Sequence, residues 1–458
     1  MNKNFIICLA LIASCSSPQS QVHDPIIDGQ QFATADKAQL DPWWHDLNSS
    51  GLNQYVEMVL DNNFDLAAAA ANLQSVAATT SAVIGQQLPA LDLGLNFGKS
   101  RTNMIGLPIP GAGDVIAIES DRASLDLNLS WELDFFGRLA AEETAALAQL
   151  DATKADYVAA RLALSGQAAR TWIAYAFSIE QIITIEEIIR LQQKMLAAIT
   201  DAAQLSSRSD LVFAARSELL TTQNQLSQAR AQSQQLEQAL QTLISSDAKP
   251  NFSPATDWSE NLQATSAKID AQSIARRPDL IALEAQLRAA EARVDMAHAN
   301  LYPRFSIGMA IGGSSDELGS LLDGDYRTWN FGANVLAPLF HGGALREQES
   351  AAQHQYTAAS YSFGQHCIRA FAEVATLINN ERALLEQASN LNELNALSLL
   401  QLRTKKDALS LGAGNVQNVL RAELAVKQGI LNQINVDMFV MQNRVDLHLA
   451  VGGGFTQK

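Results

Sequence analysis

Apolar and polar positions along this chain follow two periods. From about Ser50-Gly51, Leu52, Val56, Val59 and Leu60 recur at helical spacing. A much longer helical pattern runs from about Leu139 to Leu205. Within it Ile182, Ile185, Ile189, Leu196, Ile199 and Ala203 form a heptad-like seam. A second pattern of this kind runs from Leu345 to about Leu409. At about 1.5 Å per residue, each predicts a helix of roughly 100 Å. Alanine is abundant throughout, which favours helix and permits close interhelical approach. Helices this long need neighbours along their whole length, so the pattern predicts a coiled-coil-like bundle or a helical tube.

Four segments switch to a period of two. Leu91, Leu93, Leu95 and Phe97 alternate with Asp92, Gly94, Asn96 and Gly98. Leu125, Leu127, Leu129, Trp131, Leu133 and Phe135 alternate with Asp126, Asn128, Ser130, Glu132 and Asp134. Phe305, Ile307, Met309 and Ile311 form a third run, and Trp329, Phe331, Ala333, Val335, Ala337 and Leu339 a fourth. Strands are expected at about 90–100, 123–136, 304–312 and 328–340. Each is close to the roughly 10 residues of a tilted transmembrane strand. Carboxylates and amides on the polar faces suit a wet lumen better than a soluble core. Lys99 to Arg122 and Gly312 to Arg327 are the expected exterior loops. Four strands cannot enclose an open barrel, and a free sheet edge cannot sit in lipid, so other chains must close it. Three copies would supply twelve strands, enough for an aqueous path; periodicity alone does not set that number.

The chain is also written twice. Asp65-Leu66 stands as far before Pro89 as Asp279-Leu280 stands before Pro303. Gly137 and Gly342 are separated by the same offset as Arg216-Ser217-Glu218-Leu219 and Arg421-Ala422-Glu423-Leu424. Each copy reads helix, proline, strand, loop, strand, glycine, very long helix, turn, helix. Such a unit is too long for a solenoid repeat. Pro89 and Pro303 mark helix-to-strand changes. Gly137 and Gly342-Gly343 mark the returns, where backbone freedom is needed. Pro278-Asp279 reads as a helix first turn, and Arg276-Arg277 as partners for nearby carboxylates. The expected division is 1–14 signal peptide, 15–49 linker, 50–250 first repeat, 251–270 linker and 271–458 second repeat.

The amino terminus sets a compartment. Lys3 begins a basic region, Phe5 to Ala13 form an apolar core of signal-peptide length, and Leu11-Ile12-Ala13-Ser14-Cys15 reads as a lipoprotein processing site. Cys15 is then the acylated first residue of the mature chain, and Ser16 after it goes with sorting to the outer membrane. More than one acyl chain makes a firm anchor in outer-membrane lipid. Formal charge is −16, which argues against nucleic acid as a partner. With Cys8 removed and Cys15 acylated, Cys367 stands alone, expected as a small buried apolar residue without a disulfide.

No constellation for catalysis emerges. The seven histidines show no paired helical spacing for zinc, and no serine or cysteine sits in a nucleophile turn. No catalytic residue, metal ligand or cofactor site is therefore assigned. A trimeric structural or adhesive outer-membrane stalk is the competing class. Duplicated hairpins joined to four separate helical segments favour a duct.

Several stretches together resemble the TolC-like outer-membrane efflux proteins, and within them the lipid-anchored branch that works with RND-type pumps. They are Trp43-Trp44 with Asn63-Phe64-Asp65-Leu66, Leu129 through Arg138, and Arg276-Arg277-Pro278-Asp279-Leu280. Pro338-Leu339-Phe340-His341-Gly342-Gly343 and Val451 through Phe455 complete the set. The resemblance implies a mainly α fold with membrane β: a homotrimer with a long helical tunnel and a shared twelve-stranded barrel, four strands from each chain. It implies a passive exit duct engaged by a periplasmic adaptor and an inner-membrane pump, with the exit duct of an ABC-type secretion system as the alternative. Ser209, Asp210, Leu411, Gly412, Ala413 and Gly414, in the turns between long and short helices, would meet the adaptor. The family commonly carries aspartates just after the second turn, at the narrow end of the tunnel. This chain has Asn418 and Arg421 there, a departure. Arg421 either faces the pore, with Asp407 and Asp210 as possible partners, or repeats Arg216 against an adjacent helix.

Overall fold

A computed structural model describes residues 42–105, 115–204, 209–245 and 274–453. In chain order the elements are α1 (Ser50–Asn62), α2 (Phe64–Gly85), β1 (Ala90–Ile105), β2 (Val115–Leu133), α3 (Arg138–Gln204) and α4 (Ser209–Ile244). They continue with α5 (Pro278–Ala299), β3 (Arg304–Ser315), β4 (Arg327–Leu336), α6 (Ala344–Ser410) and α7 (Val416–Ala450). The duplication is plain in the lengths: α2 and α5 have 22 residues each, α3 and α6 have 67 each, and α4 and α7 have 36 and 35.

The chain forms two compact units, with α2, α3, α5 and α6 each contributing to both. One comprises 73–105, 115–153 and 283–363 among the described residues and holds a four-stranded antiparallel sheet in the order β1-β2-β3-β4. Leu91 pairs with Leu129, Leu129 with Met309, and Met309 with Phe331, so the apolar positions of all four strands share one face. β1 and β2 outrun the alternation. Their pairing continues to Ile105 opposite Val115, so much of the expected Lys99–Arg122 loop is strand. The signal was hidden because charged residues there interrupt the apolar face. β2 and β4 stop short of 136 and 340, at Leu133 and Leu336. Asp134 turns away to accept a 2.8 Å hydrogen bond from the Ala140 amide at the start of α3, and Pro338 has no N–H to offer a ladder. Gly137, Gly342 and Gly343 all have positive φ, between 58° and 84°, as the strand-to-helix returns require.

The other unit comprises 42–72, 154–204, 209–245, 274–282 and 364–453 among the described residues. Its core gathers Trp43, Leu47, Leu52, Tyr55, Val56 and Val59 against Trp172, Ile173, Phe177, Met441 and Val445. The Tyr55 ring stacks on Trp172 at 5.2 Å, and its hydroxyl donates to the Leu240 carbonyl. Alanines 168, 169 and 176 are fully buried on α3, where a larger side chain would hold the neighbours off. Gly166 serves the same end: a Cβ there would lie 2.4 Å from Leu449 Cδ1. The heptad-like seam is partly real. Ile185 and Ile189 are buried with Leu219, and Leu196, Leu226 and Leu431 pack beside them.

Two other expectations shift. The first helix is broken at Asn63, whose Oδ1 accepts from the Leu66 amide and whose Nδ2 donates to the Leu243 carbonyl. The Asn-Phe-Asp-Leu run was the available signal, a cap followed by an acidic first turn. Cys367 is half-buried rather than buried, on a helix that leaves most of its surface uncovered in the single chain.

Candidate functional site

The sheet presents one apolar and one polar face. Leu93, Phe97, Trp329 and Phe331 all lie on the apolar face and are heavily exposed, Trp329 at 79%. From Ala123 to Leu133 the strand covers about 35 Å, close to an apolar band of roughly 25 Å once tilted. The opposite face carries Asp92, Asn96, Asp126, Asn128, Asn330 and Asn334. The return into α3 is clamped by Arg138, which donates to Glu132 at 3.0 Å and to Glu142 at 3.2 Å. Chain alternation gave Glu132 its face but not this partner.

The turn from α6 to α7 has a Schellman geometry. The Ala413 amide donates to the Ala408 carbonyl and the Gly412 amide to Leu409, with Gly412 at φ +74°. Gly414 is packed so tightly that a Cβ would come within 2.5 Å of the Leu409 nitrogen. Both glycines are therefore fixed by backbone geometry. Leu411 sits at the apex, 82% exposed, with Ala413 also exposed. Asn415 caps α7, accepting from the Gln417 amide at 2.8 Å. In the other turn, Ser209 opens α4 and Asp210 is exposed in its first turn. Cys15 lies outside the described residues.

Asn418 and Arg421 occupy an exposed face at the start of α7. Among the described residues no carboxylate pairs with Arg421, Asp210 and Asp407 included. The carboxylate two residues on is already engaged: Glu423 accepts from Lys406 of α6 at 2.8 Å. Lys427 pairs with Glu187 of α3, and the Gln417 side chain donates to the Ala198 carbonyl. These ties fasten the start of α7 to α3 and α6, and sequence spacing did not show them because each joins distant stretches of chain.

Arg277, expected to meet carboxylates, bonds Asp279 at 2.9 Å, Glu373 at 2.7 Å and the Ala450 carbonyl at 3.1 Å. Burial raises the Asp279 carboxyl, but the Arg277 hydrogen bonds and charge outweigh it and hold the group below its ordinary value. Nearby, His448 stacks on Trp43 at 5.3 Å. Burial, with the Arg444 charge adding to it, lowers the imidazole to about 4.

The sequence profile of the outer membrane efflux proteins matches residues 55–246 and again 271–453. The chain belongs to that family. As a member of the outer membrane efflux proteins, it is an outer-membrane efflux channel with the TolC-like fold. It is 28% identical to the pyoverdine export outer membrane protein OpmQ of Pseudomonas putida, over 98% of this chain and 96% of that one. Identity to the outer membrane protein OprJ of Pseudomonas aeruginosa is also 28%, over 99% and 95%. The fold matches that of the CmeC outer membrane channel of Campylobacter jejuni with a TM-score of 0.80, at 22% identity, over 92% and 90% of the two chains.

Proposed function

We propose that three copies of this chain form a passive exit duct, a twelve-stranded barrel in the outer membrane with a helical tunnel in the periplasm. Cys15 carries the lipid anchor, and the duct is engaged by a periplasmic adaptor and an inner-membrane RND-type pump. The observation that carries this reading is the sheet. β1 and β4 are open edges flanking an exposed apolar face, which lipid tolerates only when other chains close the ladder. α6 supports it, exposing Ile368, Leu394, Leu397 and Leu400 in the single chain. The Leu411–Gly414 apex, with Ser209 and Asp210, is the proposed adaptor contact. The lumen of this duct is lined by the amides and carboxylates of the polar sheet face. Sedimentation of the purified protein in detergent, with ion conductance in planar bilayers, tests the reading. Trimers that pass ions are expected; a non-conducting monomer would overturn it.

A further inference from the structure

A cleft of about 480 Å³ opens between α3, α6 and α7, within the size range of small-molecule sites. Four cationic side chains line it: Arg190 and Lys194 from α3, Lys406 from α6 and Lys427 from α7. Two carboxylates, Glu187 and Glu423, stand against them. Both are already engaged, Glu187 by Lys427 and Glu423 by Lys406 at 2.8 Å. Among the described residues, neither Arg190 nor Lys194 has an ion pair or a hydrogen bond. The cleft therefore keeps two unneutralised positive charges, in a chain whose formal charge is −16. These two side chains stand four residues apart on one helix face, with about 6 Å between their Cβ atoms. Like charges so placed cost stability unless an anion sits between them.

The rest of the lining is apolar. Val426 is buried, and Leu191, Leu402 and Ile430 are half-buried beside it. Apolar walls under cationic groups select a ligand with an apolar body and anionic groups. The planar fork of Arg190 favours carboxylate, sulfonate or phosphate oxygens. Helix geometry keeps the cleft apart from the surface offered to another copy. At about 100° per residue, Leu399, Leu402 and Lys406 centre on one side of α6, and Ile368, Leu394, Leu397 and Leu400 on the opposite side.

We infer that this cleft binds an organic dianion with a compact apolar body, its charges held by Arg190 and Lys194 with Lys406 and Lys427 beside them. Every group of the site comes from one chain, so the inference does not rest on the duct proposed above. Isothermal titration of the full-length protein in non-ionic detergent, with naphthalene-1,5-disulfonate as the probe, tests it. About one probe should bind per chain, and added salt should weaken binding. The variant Arg190→Gln/Lys194→Gln should lower affinity at least about tenfold, as two charge-assisted contacts are lost. The variant Lys99→Gln/Arg101→Gln removes the same charge outside the cleft and should keep affinity within about twofold of the parent. Circular dichroism and sedimentation confirm that both variants fold and assemble as the parent does. No saturable binding by the parent, or equal affinity in the parent and the cleft variant, would overturn the site. An equal loss in both variants would overturn it too, as attraction to net charge alone.

Discussion

His448 shows how a single buried group writes itself into stability. Stacked on Trp43 and held near pKa 4 by burial, it is neutral in the folded chain, while an unfolded histidine titrates near 6.5. Between those values the unfolded state binds more protons, so stability is full above about pH 6.5 and falls as pH drops toward 4. The loss should be on the order of 3 kcal/mol. His448→Phe keeps an aromatic ring on Trp43 and removes the titration. Its urea midpoint, followed by tryptophan fluorescence, should vary less over this window than that of the parent; an unchanged slope would assign the pH dependence elsewhere. Asp279 acts lower on the scale. Its depressed carboxyl contributes stability present above the unfolded value near 3.9 and lost as pH falls through the folded one. Gly412 and Gly414 are constrained differently, one by its positive φ and the other by backbone contact. Gly412→Val should cost about 1–2 kcal/mol locally, and the pair Gly412→Val/Gly414→Val should abolish crosslinking to a periplasmic adaptor while trimers persist. Unchanged crosslinking would remove this turn from the contact.

At the level of elements, periodicity carried most of the architecture. The two very long helices, the four strands and the glycine returns at Gly137 and Gly342-Gly343 were all legible, because each is set by local chemistry. Asn63, the Arg138 clamp and the Lys406–Glu423 tie were not all so local. Asn63 had a local signal that the helical period obscured, whereas Lys406 and Glu423 meet only once α6 and α7 are folded together. The outer part of the β1–β2 pairing was misread as loop because Lys99, Arg101, Glu119 and Asp121 take the positions that carry apolar residues nearer Leu91 and Leu129. The α3–α7 contact offers a direct test of packing. Gly166→Val drives a branched side chain into Leu449 and should cost about 1–3 kcal/mol. Leu449→Ala in the same chain should recover part of that loss, measured as a double-mutant cycle of urea unfolding. Strict additivity would mean that the helices adjust elsewhere.

For the whole assembly, the sign of charge near the periplasmic turns separates two placements of Arg421. The chain carries a formal charge of −16, so a tunnel lined in proportion would favour cations. Arg421 lies exposed at the start of α7, and the nearby Glu423 is engaged by Lys406 rather than by the arginine. Three such guanidinium groups near a common axis would repel one another unless they bonded carbonyls or carboxylates of neighbouring copies. In that position they would make the narrow end less attractive to cations and help hold it shut. Single-channel recording of the parent, Arg421→Ala and Arg421→Asp distinguishes the placements. A pore-facing arginine predicts larger or more frequent openings for alanine and a shift toward cation selectivity for aspartate. An arginine facing a neighbouring helix, as a plain repeat of Arg216, predicts that all three conduct alike. The selectivity shift is the sharper reading, because loosened packing would raise conductance without reversing the sign of the charge that the ions meet.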